Sequence, residues 1–244
     1  MNRREQRLAR VRCLLTHKCN DRNHRWCERI QQVFGESGID SLIDPFPQGC
    51  DIDKRIETLN VHALLFLSDP ESLKSEYCLK ELNAARRRSI PIFAAQIEGP
   101  IPEEFRRRIY ISLDGRKVQD CTGELAEFAS ALRSRGQLYQ KIKHLTQDQF
   151  PEDSRSLAKS ISDEPEVTVL AEFVKELKLR FREMKSDPTT QYWLACAIGK
   201  VGTPEAKRIL ARLLQEKDIH PYAQEGLKDA IRAVSDLMSK GGTQ

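Results

Sequence analysis

The sequence lacks the marks of several common protein classes. It has no C-x-x-C pair, no glycine-rich phosphate loop of the G-x-G-x-x-G or G-x-x-x-x-G-K type, and no apolar run near membrane-spanning length. Its 7 cysteines are an odd number, and several lie inside apolar runs, as buried free thiols do. Residues 1–8 also lack the apolar core of a secretion signal. We therefore expect a soluble protein of the reducing cytoplasm, without membrane contact.

Charge and histidine placement exclude two further classes of site. The chain has 40 Lys and Arg against 36 Asp and Glu, and the basic residues cluster only at 86–88 and 106–108. Neither cluster has interleaved aromatic residues or extends into a basic stripe, so we interpret both as solvated surface and predict no nucleic-acid partner. The five histidines do not combine with cysteines or acids at metal-ligand spacing, so no metal site is predicted.

The first half of the chain alternates short apolar runs with amphipathic stretches. The runs at 11–16, 39–43, 61–67, 91–96 and 109–113 predict five strands, and the segments between most of them carry apolar residues at helical spacing. Strands that alternate with helices imply a parallel sheet with right-handed crossovers. Ligands of such sheets bind beyond the carboxyl ends of the strands. We therefore expect an α/β fold with its functional site at that edge.

The second half changes character. Residues 146–165 are polar and contain two prolines, which predicts a linker, and helical patterns follow at 166–185, 189–200, 204–216 and 221–238. A faint internal repeat aligns Trp193 with Tyr222 and Ala197 with Gly226. This stretch resembles short, degenerate HEAT-like repeats, and about two repeats are too few to bury their apolar faces alone. We therefore expect this small all-α region to dock on the first domain or on a partner.

Glu81 lies at an unusual position. If residues 75–88 form a helix, its apolar face contains Glu81 in the middle of Tyr77, Cys78, Leu82 and Ala85. None of the positions three or four residues from Glu81 carries a cation that could pair with it along the helix. A buried carboxylate therefore needs a partner from another element, such as an arginine, or a ligand. Glu81 is the leading candidate for a functional residue.

Several segments, in order, carry a family resemblance. They are Leu14-Leu15-Thr16-His17, Leu42-Ile43-Asp44 with a Pro/Gly loop to Gly49, Phe66-Leu67-Ser68, Ser75-x-Tyr77-Cys78-x-x-Glu81-Leu82, and Ile90-Pro91-Ile92. On these segments, residues 9–135 resemble a Toll/interleukin-1 receptor (TIR) domain. The resemblance implies a flavodoxin-like five-stranded parallel sheet. The chain then divides into a TIR domain at 9–135, a helix end and linker at 136–165, and HEAT-like repeats at 166–240.

The resemblance also implies an activity. In the enzymatic branch of the TIR family, found among prokaryotic defence and signalling effectors, the helix glutamate cleaves the nicotinamide–ribose bond of NAD+, and Glu81 matches it. Tyr77, Thr16, His17 and Asp44 match positions that line the substrate pocket. NAD+ is then a consumed substrate and not a redox cofactor. Many such domains act only when assembled, so we expect a homo-oligomer formed through the TIR domains and a weakly active monomer.

Two other functions stay open at this point. Thr16 and His17 stand where the family commonly has Ser followed by an aromatic residue, and Tyr77 stands where it usually has Trp. These departures favour a non-catalytic TIR adaptor, whose Pro/Gly loop at 44–49 and helical tail would mediate protein contacts. A nucleoside-handling transferase on the same type of fold is the third alternative, but no second catalytic group can be nominated for it.

Overall fold

The computed structural model describes residues 10–43, 51–106, 109–145, 151–165 and 167–241. The chain divides into two compact units, residues 1–140 and 141–244. The extents predicted above for the separate domains remain predictions.

The first unit alternates strands with helices. Its described strands are β1 (Val11–Thr16), β2 (Ile39–Ile43), β3 (Ala63–Ser68), β4 (Ile92–Gln96) and β5 (Tyr110–Ser112). Its described helices are α1 (Asp21–Glu36), α2 (Ile52–Thr58), α3 (Glu76–Arg87), α4 (Glu103–Arg106) and α5 (Thr122–His144), of which α5 continues past residue 140. Short 3-10 helices form at Ser72–Lys74 and Val118–Cys121.

The described strands form one sheet in the order β2-β1-β3-β4-β5, and each pairs in parallel with its neighbour. The predicted five-stranded parallel sheet is therefore confirmed. The strand order reverses between β1 and β3, where Thr16 is the register partner of Phe66. This reversal is the switch point at which open parallel sheets of this order bind ligands.

Short polar side chains set the helix starts. Asn20 caps α1 by accepting a hydrogen bond from the Asn23 amide at 2.8 Å, and Asp51 caps α2 by accepting one from the Lys54 amide at 3.2 Å. Ser75 caps α3 by accepting the Cys78 amide at 3.4 Å. Each cap satisfies an amide that has no partner within the first turn of its helix.

The sheet buries both of its faces. One buried cluster joins Val11, Cys13 and Leu15 of β1 with α1 residues that include Trp26 and Ile30, and with residues of α5. Because successive strand residues point to opposite faces, Thr16 of β1 and Ser68 of β3 lie on the other face. Helix α3 packs against β1, β3 and β4. Its buried residues are Cys78, Glu81, Leu82, Ala84 and Ala85.

His62 is a hydrogen-bonded histidine of the core. It is 4% exposed, and its Nδ1 accepts the Arg12 amide at 3.0 Å. Gln140 Nε2 lies 2.8 Å from the same nitrogen. These contacts replace the hydrogen bonds with water that the imidazole loses on burial.

The second unit contains helices in its described part. They are α6 (Pro151–Ser162), α7 (Val167–Glu172), α8 (Val174–Glu183), α9 (Pro188–Lys200), α10 (Pro204–Leu214) and α11 (Pro221–Gly241). Helix α9 is central, since it contacts each of the other five. No helix in the described part of the chain is both long enough and apolar enough to cross a membrane.

The predicted linker at 146–165 is wrong over most of its length. Residues 151–162 form α6, which packs against α9, and Arg155 Nε donates to Asp187 Oδ1 at 3.1 Å. The buried residues Ser154, Ala158 and Ile161 do recur at helical spacing. Two of the three are small, and polar residues surround them, so the apolar period is weak. Residues 146–150 lie outside the described part of the chain.

The predicted helix at 166–185 is also corrected in detail. It breaks at Phe173, between α7 and α8. The other three predicted helices form with small shifts of their ends. HEAT-like character is not established by these helices and stays a proposal.

Helices α9 and α11 approach each other closely at two glycines. A Cβ placed on Gly199 would lie 2.7 Å from Ala230 Cβ and 2.9 Å from Ala230 Cα. A Cβ placed on Gly226 would lie 2.6 Å from Tyr192 Cδ2. Both separations are too short for ordinary carbon contacts, so glycine is required at each position.

Gly199→Ala should destabilise the second unit by about 1–3 kcal/mol, because the new methyl group meets backbone and cannot be accommodated by a side-chain rotation. The measurement is urea unfolding of the full chain, followed by circular dichroism. Gly35→Ala is the control, since a Cβ at Gly35 meets nothing within 4 Å, and it should be neutral or slightly stabilising. Equal unfolding midpoints for wild type and Gly199→Ala would contradict this account of the packing.

Candidate active site

Glu81 is a buried carboxylate on the sheet-facing side of α3. It is 4% exposed, in contrast to Glu76 of the same helix, which is exposed and lies 2.6 Å from Lys80 Nζ. The predicted helix phase is therefore confirmed, since Cys78, Leu82 and Ala85 are buried with it. A carboxylate at such depth keeps its charge only where protein groups replace its hydration.

Two buried hydroxyls lie on the sheet face that α3 covers. Thr16, the last residue of β1, and Ser68, the last residue of β3, are both fully buried. Among the described residues, neither Thr16 Oγ1 nor Ser68 Oγ has a hydrogen-bond partner. A buried hydroxyl without a partner costs about 1–3 kcal/mol, so both groups are available to a bound polar group. Of the two, the sequence nominated Thr16 only.

The other predicted site residues are placed as follows. His17 follows β1 at the carboxyl edge, is half-buried, and has Nδ1 3.4 Å from the Leu15 carbonyl oxygen. Tyr77 is half-buried in the first turn of α3, one turn before Glu81. Asp44 lies outside the described part of the chain, as does the rest of the loop to Gly49.

The Cys78 thiol is affected by charges from both loops at this edge. Burial raises its pKa, a hydrogen bond with Ser75 opposes that effect, and the charges of Glu81 and Asp69 raise it further. The positive charge of Lys18 lowers the pKa of Cys78. The raised pKa disfavours the thiolate form that a nucleophilic cysteine needs. The same charges indicate that the segments after β1 and β3 lie near the first turns of α3.

Asp69 is a second buried carboxylate at this edge, 3% exposed. Its Oδ1 accepts the amides of Glu71 at 2.8 Å and Ser72 at 3.0 Å, and its Oδ2 accepts Asn23 Nδ2 at 2.9 Å and the Ser72 hydroxyl. Burial by itself raises the pKa of Asp69, but the hydrogen bonds from Ser72, Asn23 and Glu71 together outweigh it and hold the pKa below its ordinary value.

Two polar clefts open beside these residues. One has a volume of 350 Å³ and is lined by Asn20, Arg22, Asn23, Asp69, Pro70, Glu71 and Glu98. The other, of 680 Å³, extends from α1 to the segment after β5 and includes Arg22, Arg25, Trp26, Glu98 and Arg116. Arg22 and Glu98 form an ion pair and line both clefts. Glu81 is not among the residues that line either cleft.

No group of three or more His, Cys, Asp or Glu side chains that could hold a metal ion is found in the described part of the chain. The candidate groups are the buried carboxylate of Glu81 on α3, the buried hydroxyls of Thr16 and Ser68 on the sheet face that α3 covers, and the half-buried ring of Tyr77. Such a set can stabilise a positive charge and bind hydroxyl groups, without a paired acid and base.

Four residues at this edge were not predicted from the sequence: Asn23, Ser68, Asp69 and Ser72. The local pattern Asp69-Pro-Glu-Ser72 is typical of an aspartate that accepts hydrogen bonds from the next turn, so Asp69 could have been nominated. Its contact with Asn23 spans 46 residues, and no local pattern indicates it.

Comparison with known families now adds to this geometry. Residues 15–129 match the family model of the TIR domain. The match includes the last two residues of β1, the strands β2 to β5, α3 with Glu81 and Tyr77, and the first turns of α5. The resemblance stated from the sequence is supported to this extent. The family includes NAD+-cleaving enzymes as well as adaptors, and the match by itself does not distinguish them.

Two further comparisons, with curated proteins and with solved structures, identify no close relative. Curated proteins give no match. Among solved structures, the crystal structure of the Francisella novicida lysine decarboxylase LdcF matches with 12% identity and a TM-score of 0.29. That match covers 58% of this chain and only 20% of the decarboxylase chain, and it carries no argument about fold or function.

Asp69→Asn should remove a pH-dependent part of the stability. Since the folded pKa lies below the unfolded value of about 3.9, the ionised group stabilises the fold above that pH, and the contribution is lost as pH falls through the folded pKa. The free energy of unfolding of wild type should therefore fall more steeply than that of Asp69→Asn from about pH 5 downward. Urea unfolding at a series of pH values measures both slopes, and parallel curves would contradict the assigned hydrogen bonds.

Proposed function

We propose that the TIR domain is an NAD+ nucleosidase with Glu81 as its catalytic residue. The observation that carries the proposal is the burial of Glu81 on α3, the helix that packs against β1, β3 and β4. A carboxylate on the buried face of a helix loses hydration, and acids in such surroundings are candidates for a functional role. The TIR match is consistent with this chemistry.

The reaction needs stabilisation of one charge. The bond between ribose C1′ and the nicotinamide nitrogen breaks, and both electrons go to the nitrogen, so nicotinamide leaves as a neutral molecule. Positive charge then develops on the ribose as an oxocarbenium-like state. Water adds its oxygen to C1′ and loses a proton, which gives ADP-ribose, or the sugar is captured within the molecule to give a cyclised form. The Glu81 carboxylate stabilises the ribose charge without needing a general acid.

The substrate contacts are proposed from the positions of residues on α3 and at the end of β1. Tyr77, one turn before Glu81, presents an aromatic ring that can stack on nicotinamide or the ribose edge. The buried Thr16 hydroxyl and half-buried His17 lie at the carboxyl end of β1, where the nicotinamide end would enter. Asp44 is proposed as a fourth contact from the resemblance alone.

Assembly and partners complete the proposal. We propose that the TIR domains associate into a homo-oligomer in the cytoplasm, that this association activates the enzyme in defence or signalling, and that the HEAT-like tail binds a protein or ligand that triggers it. Neither unit supplies a nucleic-acid surface by charge pattern. Activity per molecule should therefore rise with protein concentration.

Glu81→Gln keeps the shape of the side chain and removes its charge, so nicotinamide release should fall at least about 100-fold. The measurement is chromatographic detection of free nicotinamide from NAD+ with the purified full chain at high concentration and with a crowding agent. Glu76→Gln is the matched control, because Glu76 lies in the same helix but faces solvent. It should retain wild-type activity.

Each outcome decides between the candidate functions. Equal release by wild type and Glu81→Gln would end the proposal for this residue. Release by neither protein, under any assembly condition, would favour the non-catalytic adaptor.

Tyr77→Ala should raise KM for NAD+ about 2- to 10-fold, since an aromatic contact contributes about 0.5–1.5 kcal/mol. Tyr77→Phe retains the ring and should stay near the wild-type KM. Steady-state kinetics of the two variants measure the difference. A similar rise in KM in both variants would indicate that the hydroxyl matters and the ring does not.

A further inference from the structure

The loops after β1 and β3 are joined by a closed ring of hydrogen bonds, named here the Asp69 ring after its acidic member. Its members are the Lys18 backbone and the side chains of Asn23, Asp69 and Ser72. The Lys18 amide donates to Ser72 Oγ at 2.9 Å, and the Ser72 hydroxyl donates to Asp69 Oδ2. Asn23 Nδ2 donates both to Asp69 Oδ2 and to the Lys18 carbonyl oxygen, each at 2.9 Å. The last bond closes the ring.

The ring occupies the switch point of the sheet. Lys18 follows β1, Asp69 follows β3, and these two strands are neighbours in the sheet. The three side chains are almost completely buried, at 0% exposure for Asn23 and Ser72 and 3% for Asp69. A buried polar cluster of this kind is rigid only when all its members have hydrogen-bond partners. Loss of the Ser72 hydroxyl therefore affects both the loop after β1 and the loop after β3.

The ring is adjacent in sequence to the proposed catalytic groups on both sides. His17 immediately precedes Lys18, whose amide and carbonyl groups are both held by the ring. Ser72 begins the 3-10 helix Ser72–Lys74, and Ser75 then caps α3, which carries Glu81. Through these links the ring fixes the spacing between the segment with Thr16 and His17 and the helix with Glu81.

We infer that Asp69 is a positioning residue for the proposed reaction, acting through the Asp69 ring to hold the β1 loop against the start of α3. The inference rests on the proposed NAD+ nucleosidase function and adds a residue that does not touch the substrate. Catalysis by an electrostatic carboxylate depends on fixed geometry, because a misplacement of about 1 Å can cost about 100-fold in rate.

The second unit supplies a matched control. Asp187 is also buried, at 5% exposure, and accepts the Thr189 and Thr190 amides and the Thr190 hydroxyl. Asp69 accepts the amides two and three residues later and the hydroxyl three residues later in the same way. Asp187→Asn therefore removes the same local hydrogen bonding without touching the loops of the TIR domain.

The test compares the full-length wild type with Asp69→Asn, Ser72→Ala and Asp187→Asn. Nicotinamide release from NAD+ should show kcat lowered about 10- to 100-fold in Asp69→Asn and Ser72→Ala, with KM within about threefold of wild type. Hydrogen exchange of residues 17–20 should be faster in both, because the Lys18 amide loses a fixed acceptor. Asp187→Asn should keep wild-type kcat and wild-type exchange in this segment. Circular dichroism confirms that each variant is folded under the assay conditions.

The outcomes separate this inference from the function on which it rests. Active wild type with unchanged kcat in folded Asp69→Asn and Ser72→Ala would overturn the positioning role and leave Glu81 catalysis standing. A rise in KM with kcat retained would also overturn it, because that result indicates a role in substrate binding. An equal loss of kcat in Asp187→Asn would overturn it too, because that result indicates an effect of general stability. If wild type releases no nicotinamide under any assembly condition, the proposed function fails and the positioning role fails with it. If Ser72→Ala does not fold, Asp69→Asn decides alone.

Discussion

The parallel pairing of β1 with β3 is the constraint on which the candidate site depends. These strands are separated along the chain by α1, β2 and α2, and pairing makes Thr16 the register partner of Phe66. Everything that follows each strand is thereby brought to one edge: His17 and Lys18 after β1, and Asp69 and Ser72 after β3. Without that pairing, no local feature would bring Lys18 and Asn23 close to Ser72 and Asp69.

The edge contains two carboxylates whose environments differ in kind. Asp69 is surrounded by donors from its own turn and from Asn23, so its charge is balanced by the fold itself. Glu81 lies on the buried face of α3 together with Cys78, Leu82, Ala84 and Ala85. We propose a positioning role for Asp69 and a catalytic role for Glu81. This division of roles needs no general acid and no metal ion.

Much of the fold could be read from the sequence because its signals are local. The continuous apolar runs predict the buried strands, and the capping roles of Asp51 and Ser75 follow from their position before apolar-periodic segments. The phase of α3, and hence the burial of Glu81, follows from four apolar neighbours. The helix at 151–162 was missed because small residues form its buried face, which weakens the period that reveals a helix.

The remainder of the site could not be predicted, because it depends on contacts between distant segments. Asn23 reads as an ordinary first-turn residue of α1, and only the fold brings its side chain to Asp69. Ser68 reads as the end of an apolar strand, and its unsatisfied hydroxyl becomes evident only once α3 covers it. Contacts of this kind have no spacing rule in the sequence.

The high pKa of the Cys78 thiol has a consequence for the chemical durability of the site. Peroxides and electrophiles react with thiolate and hardly at all with neutral thiol. The sulfur three residues before Glu81 is withheld from such reagents by its burial and by the negative charges around it. Oxidising conditions that modify the exposed Cys19 would therefore leave the neighbourhood of the carboxylate chemically unaltered.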